Sequence, residues 1–323
     1  MERIKLVKKP RLRNPYLIVA WPGMGEVSFK AAYYLIEELG AEEFAYIPAE
    51  YFYYPVGIEV KDGILAVPEL PQSRFYFWRN KSGKRDLIIF ISNAQPDLTK
   101  AEKYAQRILE VAKTFKVKEV IGFASMPQAI DHTHEPAVWF TATSKELVEK
   151  LKSYNPQLLS AGQISGMNGL FLGIAKKEGL EGFCLLGEIP LYTIQIENPR
   201  ATLAVLRIFC RIVGININLD RLMQQAQKME SEINKLLDYL KVGSGEQPAP
   251  ISEDEIERIK KSLSQLTQLP GSIKDKIEKL FQEARENISR ASELKAELDK
   301  WNVYKEYEDR FLDLFRKSKE KGN

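Results

Sequence analysis

His132 and His134 are the only two histidines of the chain and the first residues to examine for catalysis. Their i,i+2 spacing puts both rings on one side of an extended segment, with Asp131 and Glu135 beside them. Two imidazoles and a carboxylate form a partial metal ligand set, and an imidazole beside a carboxylate is a partial general base. No further cluster completes either site, and the stretch has the pattern of a loop before a strand. We therefore predict ordinary loop histidines and no metal, with a metal site and a general base as alternatives.

The segment WPGMGEVS, residues 21–28, follows a short apolar run and precedes a helical pattern. Gly23 and Gly25 allow close approach of a backbone, and a helix start presents unpaired N–H groups to an anion. Glu26 would repel a phosphate while stabilising the helix. Neither GxGxxG nor a P-loop pattern is present, so no cofactor is predicted. We predict a structural turn, with contact to an anion or small ligand as the alternative.

A second unusual segment covers residues 162–190. Gly166, Gly169 and Gly173 lie three and four positions apart on one apolar helical pattern, a spacing that lets a neighbouring element approach closely. Ser165 is the predicted N-cap of this helix, and Asn168 is a polar residue just inside its start.

The loops that follow the predicted strands should meet at one edge of the sheet, because strand ends of an α/β sheet form its usual ligand crevice. These loops cover residues 22–25, 93–96, 125–127 and 187–190. Glu188 is a weak candidate for a catalytic acid or base, and no complete catalytic constellation is present, so an enzyme is not favoured. The candidate ligand-contacting residues are Gly23, Met24, Gly25, Asn93, Ser125, Ser165, Asn168 and Glu188.

Composition is that of an ordinary soluble globular protein. The chain has 323 residues, of which 44% are hydrophobic and 28% charged, and its formal net charge of +3 indicates neither nucleic acid nor a membrane as partner. Six Lys and Arg among the first thirteen residues predict a solvated leader strand or arm. The two cysteines, Cys184 and Cys210, lie in apolar surroundings and indicate a reduced state. Without a signal-peptide pattern or a membrane-spanning apolar run, we expect a cytoplasmic location.

Strand and helix patterns alternate through the first two thirds of the chain. Strand patterns at residues 16–21, 87–92 and 119–124 alternate with helical patterns at 27–39 and 98–115, and the cycle continues to residue 213. This alternation predicts an α/β domain with a largely buried sheet. Asp62-Gly63, between two short strand patterns, predicts a hairpin and therefore a mixed sheet.

The pattern changes after residue 215. Heptad spacing of apolar residues predicts a helix at 219–241, and residues 242–251 have linker composition. A helical hairpin or coiled coil is predicted over 252–323, with Ser252 and Glu255 as a capping box, a break at 270–272 and a long helix from 273 to 317. Balanced charges indicate a solvated face, so this extension packs on the domain or a sister subunit, or binds a partner.

Four segments, in order, resemble the proteasome assembly chaperone 2 family: WPGMGEVSFKAAYYLIEELGA, ISGMNGLFLGIA, GFCLLGEIPLY and NPRATLAVLRIFCRIVGININLDRL. Members of that family carry an aliphatic-PG-x-G turn, an SG-x-NGLL-type helix and a GE-[TI]-P strand end. The resemblance covers residues 12–240. It implies an α/β/α sandwich with a mixed central sheet, similar in topology to nucleoside phosphorylases, and homo-oligomers such as trimers or tetramers.

We interpret residues 1–241 as such a domain and the chain as a non-catalytic, oligomeric assembly or binding protein. Its helical tail would serve self-association or a protein partner. The alternative is an enzyme or small-ligand binder that uses a phosphorylase-like crevice for a nucleoside or phosphorylated small molecule. Family members that bind proteasomes end with a hydrophobic–tyrosine–any-residue tail, whereas this chain ends SKEKGN, so that binding mode is not carried over.

Overall fold

The computed structural model describes residues 4–54, 60–61, 64–65, 70–83, 85–242, 271–300, 307 and 310–314. The chain divides into two compact units, Met1–Gln268 and Leu269–Asn323. Their boundary falls between residues 243 and 270, outside the described residues. The predicted linker and the predicted start of the extension at residue 252 therefore stay predictions.

The first unit contains a nine-stranded sheet whose order is β1-β3-β6-β7-β2-β8-β11-β9-β10 among the described residues. The strands of the unit are β1 (Lys5–Leu6), β2 (Tyr16–Ala20), β3 (Glu42–Ile47), β4 (Val60–Lys61), β5 (Ile64–Leu65), β6 (Ser73–Trp78), β7 (Leu87–Ser92), β8 (Glu119–Gln128), β9 (Val138–Ala142), β10 (Gln157–Leu158) and β11 (Glu181–Pro190). Its helices are α1 (Val27–Leu39), α2 (Ala101–Thr114), α3 (Lys145–Lys152), α4 (Met167–Lys177), α5 (Pro199–Val213) and α6 (Asp220–Val242).

The sheet is mixed, as predicted, but for a different reason. The central strands β7, β2, β8 and β11 are parallel, so their carboxyl ends meet at one edge, called here the carboxyl edge. β3 and β6 on one side and β9 on the other join through antiparallel pairings. The strands on either side of Asp62-Gly63 pair as β4 and β5, yet they form a separate two-stranded sheet, and Asp62 and Gly63 themselves lie outside the described residues. The outer strands, and not the hairpin, make the main sheet mixed.

Each face of the sheet carries one apolar layer. Leu17 and Val19 of β2 face the layer that includes α2 and α4, while Ile18 and Ala20 face the layer that includes α1, α3 and α5. All four side chains are fully buried. A continuous apolar strand is the pattern that a parallel strand covered on both faces requires.

The predicted heptad helix is present as α6, which packs on α5. Leu222, Ala226 and Ile233 are buried at its apolar positions. Leu222 belongs to the apolar layer that includes α1, α3 and α5.

The basic leader forms one end of the sheet. β1 pairs antiparallel with β3, and Lys8 pairs with Glu42. Arg13 donates hydrogen bonds to the carbonyl oxygens of Asn80 and Gly83. The leader is therefore joined to the unit by its backbone and by two of its cations.

The second unit contains α7 (Gly271–Glu286), a 3-10 turn (Ile288–Arg290) and α8 (Ala291–Lys300). The predicted continuous helix from 273 to 317 is wrong at Asn287, where the carbonyl oxygen accepts the Arg290 N–H at 3.0 Å and starts a new turn. Asparagine favours such helix starts over helix interiors. The buried apolar residues of this unit are Ile277, Leu280, Phe281, Ala284, Ala291, Leu294, Leu298, Phe311 and Leu314. Within the described part of the chain, no helix is long and apolar enough to cross a bilayer.

Candidate functional site

The turn at residues 21–26 lies at the carboxyl edge directly after β2, and each of its first five carbonyl oxygens accepts a hydrogen bond. The donors are Asn168 Nδ2 to Trp21 at 3.1 Å, Gln95 Nε2 to Pro22 at 2.7 Å, the Glu26 N–H to Gly23 at 3.0 Å, Ser125 Oγ to Met24 at 2.7 Å and the Asn198 N–H to Gly25 at 2.9 Å. Four of these donors come from other segments: Asn168 from α4, Ser125 from β8, and Gln95 and Asn198 from loops. Such complete pairing fixes the position of the turn.

Asn168 makes the closest attachment of α4 to this turn. Its Oδ1 accepts the Trp21 N–H and the Ser28 hydroxyl, both at 3.0 Å, while its Nδ2 donates to the Trp21 carbonyl. The side-chain amide thus forms hydrogen bonds with both backbone groups of Trp21, as a neighbouring strand would. A Cβ at Gly23 would lie 3.3 Å from Asn168 Nδ2, tighter than most such contacts. A glycine there allows the amide to approach.

Gly25 is held in the left-handed region at φ +63°. Its N–H donates to the Ile194 carbonyl at 2.8 Å, and a Cβ there would lie 3.1 Å from both Asn198 Nδ2 and Ile189 Cδ1. Conformation and crowding both require glycine. Because the Gly25 N–H is used inside the protein, it is not offered to an anion.

The predicted N-cap of α4 is wrong. Gly166, at φ +70°, occupies that position, and Ser165 precedes it. The Met167 N–H is instead satisfied from another loop, by Gln95 Oε1 at 3.0 Å. Gln95, which also donates to Pro22, therefore joins the start of α4 to the turn. The sequence offered no signal for this role beyond the position of Gln95 in a strand-end loop.

The glycines of α4 differ in their surroundings. A Cβ at Gly169 would lie 2.2 Å from the Ile164 carbonyl oxygen, so this glycine does allow the predicted close approach. A Cβ at Gly173 would meet no atom within 4 Å, and the residue is exposed.

A small cavity of about 80 Å³ lies between the turn, the end of β8 and the start of α4. Its lining includes five of the eight predicted residues: Gly23, Met24, Ser125, Ser165 and Asn168. Ser28, Gln163 and Ile164, which were not predicted from the sequence, also line it. Ligand pockets commonly measure roughly 300–1,000 Å³, so this cavity suits water or a small ion better than a nucleoside.

The three other predicted residues do not line this cavity. Gly25 is buried beside it, and Asn93 is exposed, with its Oδ1 accepting the Gln72 N–H at 2.7 Å. Glu188 is buried, and its two carboxylate oxygens accept the Ala137 N–H at 3.0 Å and the Trp139 indole N–H at 2.7 Å. Glu188 therefore positions the start of β9.

The two histidines lie in different environments. His132 is buried, and its backbone N–H donates to Tyr192 Oη at 2.8 Å. Its ring Nε2 lies 2.9 Å from Asn234 Oδ1 of α6. His134 is exposed. His132 thus joins three segments. The described residues include no group of three or more His, Cys, Asp or Glu that could hold a metal ion.

Burial raises the pKa values of two thiols and of one carboxyl group. Burial raises the pKa of both Cys184 and Cys210 to about 12, so neither thiol is ionised near neutral pH. Burial also raises the pKa of Glu26 to about 7, with Lys30 opposing and Glu197 adding to the rise. The charge that the sequence places at the helix start is therefore partly neutralised near neutral pH.

Comparisons with known proteins agree with this architecture. The model of the PAC2 family matches residues 17–237. The uncharacterized protein MJ1210 of Methanocaldococcus jannaschii is 32% identical over 256 residues, covering 77% of this chain and 93% of the relative. PbaB of Pyrococcus furiosus, an archaeal proteasome activator, is 30% identical with a TM-score of 0.64, covering 73% of this chain and 99% of PbaB. PbaA of the same organism, an archaeal homolog of proteasome-assembly chaperone, is 26% identical with a TM-score of 0.56, covering 75% of this chain and 100% of PbaA. The chain belongs to the PAC2 family.

Proposed function

We propose that this protein is a non-catalytic, homo-oligomeric assembly protein that acts with proteasome subunits. The observation that carries the proposal is its similarity to PbaB and PbaA across nearly their whole lengths. PAC2 membership over residues 17–237 supports a chaperone-like role.

The carboxyl edge supports a role without catalysis. Asn168, Gln95 and Glu188 are three polar side chains of this edge, and each uses both of its functional-group atoms to hold backbone or indole groups. Side chains engaged in this way stabilise loops, and they are not turned toward a substrate. The cavity of about 80 Å³ is also small for a nucleoside, which disfavours the phosphorylase-like alternative.

Self-association is supported by the exposed face of α4. Leu170 is 44% exposed, and Gly173, one turn further along, has open space around it. A glycine inside an exposed helix costs about 0.5–1 kcal/mol relative to alanine, and no described residue of the first unit requires it here. A trimer or tetramer would place a neighbouring subunit against such a face.

The oligomer is tested by size-exclusion chromatography with light scattering on the full chain and on residues 1–242. We expect a trimer or tetramer for the full chain. Fewer subunits in the truncated oligomer would assign association to the helical tail, and an unchanged number of subunits would assign the tail to a partner. A monomer in both cases would contradict the proposal.

The partner is tested by native mass spectrometry with purified proteasome α and β subunits from the same organism. We expect a complex with free subunits or with a partly assembled ring. Absence of any complex at micromolar concentrations would contradict this part of the proposal. A parallel thermal-shift series with phosphate, nucleosides and nucleotides tests the alternative, since a bound ligand raises the melting temperature.

A further inference from the structure

The cavity of about 80 Å³ at the carboxyl edge has a buried polar side and a side that opens to solvent. Asn168 and Ser28, which are 5% and 2% exposed, form the buried side, whereas Gln163 and Ser165 are exposed. A single water needs about 10–15 Å³ of such a space, so the cavity has room for a group of several non-hydrogen atoms. None of the described residues that line it is charged. The cavity therefore suits a small polar group without a formal charge.

Asn168 has one hydrogen-bond donor that the turn does not use. Its Oδ1 accepts the Trp21 N–H, and its Nδ2 donates one hydrogen to the Trp21 carbonyl. An amide nitrogen carries two hydrogens, and no acceptor in the described part of the chain pairs with the second. Because both bonds to Trp21 lie on one side of the amide, the second hydrogen is directed away from Trp21. Gly23 lies beside Nδ2 in the cavity wall and has no Cβ to cover this hydrogen.

The oxygens of Ser28 and Ser125 have the opposite character. Ser28 donates its hydroxyl hydrogen to Asn168 Oδ1 at 3.0 Å, and Ser125 donates its own to the Met24 carbonyl at 2.7 Å. A hydroxyl has one hydrogen and two lone pairs, so each of these oxygens is left as an acceptor. Both serines line the cavity. The cavity thus offers one donor, on Asn168, and two acceptors.

This set of donors and acceptors distinguishes between classes of ligand. A carboxylate or phosphate would place its oxygens against the two serine acceptors, which have no hydrogen left to donate. An ammonium group would meet the Asn168 N–H and the positive ends of α1 and α4, since Ser28 and Asn168 lie in the first turns of these helices. A carboxamide has a carbonyl that accepts and an NH₂ group that donates twice.

We propose that the cavity is a binding site for a primary carboxamide group. The ligand NH₂ donates to Ser28 Oγ and Ser125 Oγ, and the ligand carbonyl accepts the second hydrogen of Asn168. The group belongs either to a free small molecule or to an asparagine or glutamine side chain of a bound peptide, which enters past Gln163 and Ser165. The site binds this group and converts nothing. The inference does not depend on the proposed function.

Methyl NMR of the full chain, labelled with ¹³C in the methyl groups of methionine and isoleucine, tests the site. Met24 and Ile164 line the cavity, and Met223 on α6 is the remote reference. The probes are acetamide, acetone and acetate, which are similar in shape. Acetone lacks the donors, and acetate lacks them and carries a charge. We expect acetamide to shift the Met24 and Ile164 signals saturably, with a dissociation constant on the order of millimolar and at least roughly tenfold lower than for the other two probes. Equal binding of all three, or no saturable shift with acetamide, would overturn the proposal.

Two variants locate the binding. Gly23→Ala places a Cβ 3.3 Å from Asn168 Nδ2, in front of the second hydrogen, and should weaken acetamide binding at least roughly tenfold. Gly173→Ala is the matched control, because its Cβ meets no atom within 4 Å, and it should bind acetamide as the unmodified chain does. Ser125→Ala removes one acceptor and should weaken binding roughly threefold to tenfold. Thermal unfolding checks that each variant is folded, and full affinity in both Gly23→Ala and Ser125→Ala would refute the assignment.

Short peptides distinguish the two sources of the group. A peptide that contains one glutamine is compared with the same peptide carrying glutamate at that position. Shifts of Met24 and Ile164 with the glutamine peptide alone would assign a side-chain carboxamide, and shifts with acetamide but neither peptide would assign a free small molecule. Equal shifts with both peptides would contradict recognition of a carboxamide.

Discussion

The 21–26 turn and the second unit satisfy their polar groups in opposite ways. At the turn, buried amide side chains such as Asn168 pair with backbone groups that have no access to water. In the described part of the second unit, polar side chains form ion pairs that are partly exposed, such as Arg310 with Glu278. Water replaces the partner of an exposed charge at little cost, whereas a buried N–H that loses its acceptor stays unsatisfied. The turn should therefore be the more sensitive region to substitution.

The largest effect is expected for Asn168→Ala. It leaves the Trp21 N–H and carbonyl and the Ser28 hydroxyl without their partner, and we expect the free energy of unfolding to fall by about 4 kcal/mol. Urea unfolding measures this loss. Asn93→Ala is the control, because Asn93 is exposed, and it should cost about 0.5 kcal/mol. Equal losses in the two variants would show that burial of the amide does not decide the cost.

A smaller loss, about 2–3 kcal/mol, is expected for Gly169→Ala, because the new Cβ would lie 2.2 Å from the Ile164 carbonyl oxygen. Gly173→Ala on the same helix is the matched control. It meets no atom and should raise the free energy of unfolding by about 0.5–1 kcal/mol. Thermal unfolding of both variants shows whether each substitution raises or lowers the free energy of unfolding. A stabilised Gly169→Ala variant would show that Ile164 does not approach the helix tightly.

The pH dependence of stability gives a third expectation. The pKa of Glu26 is raised in the folded chain from 4.5 to about 7, so the folded chain binds more protons than the unfolded chain between these values. The stabilisation is complete below about pH 4.5 and is lost as the pH rises through about 7. After allowance for partial exposure we expect about 1–2 kcal/mol. Glu26→Gln should remove this part of the curve, and an identical pH profile for the variant would contradict the assignment.

The smallest effect is expected in the second unit. Glu278→Gln removes its ion pair with Arg310, which also lies over the Phe281 ring at 4.3 Å from the centroid. Since both charges are partly exposed, the loss should be about 0.5 kcal/mol and should shrink further at high salt. Denaturant unfolding at two salt concentrations measures it. A loss as large as that of Asn168→Ala would contradict the comparison.

The parts of the fold that follow local patterns were predictable. Gly40 ends α1 in the left-handed conformation, as expected from its position after the apolar helical pattern. The buried strand at 87–92 follows from its continuous apolar run. The break at Asn287 was missed, because apolar spacing continues across it and masks the preference of asparagine for a helix start.

The candidate site was predictable only in part. Gly23, Met24, Ser125, Ser165 and Asn168 meet at one cavity because the ends of parallel strands share an edge. The orientation of Glu188 toward Trp139 was not predictable, because it depends on which strand lies beside β11. Gln95 was missed for the same reason, since its two partners lie 73 and 72 positions away in the chain.

The sequence by itself determined the α/β class, the positions of most helices and strands, and the family, because periodicity and ordered motifs are local properties of the chain. Only the tertiary structure decided that backbone groups of the WPGMGEVS turn are hydrogen-bonded to other segments of the same chain. Hydrogen-bond partners of a turn come from distant segments, and their identity depends on strand order. Strand order also brings Glu197 to Glu26, and burial there changes the acidity of a carboxyl group that the sequence presents as an ordinary first-turn glutamate.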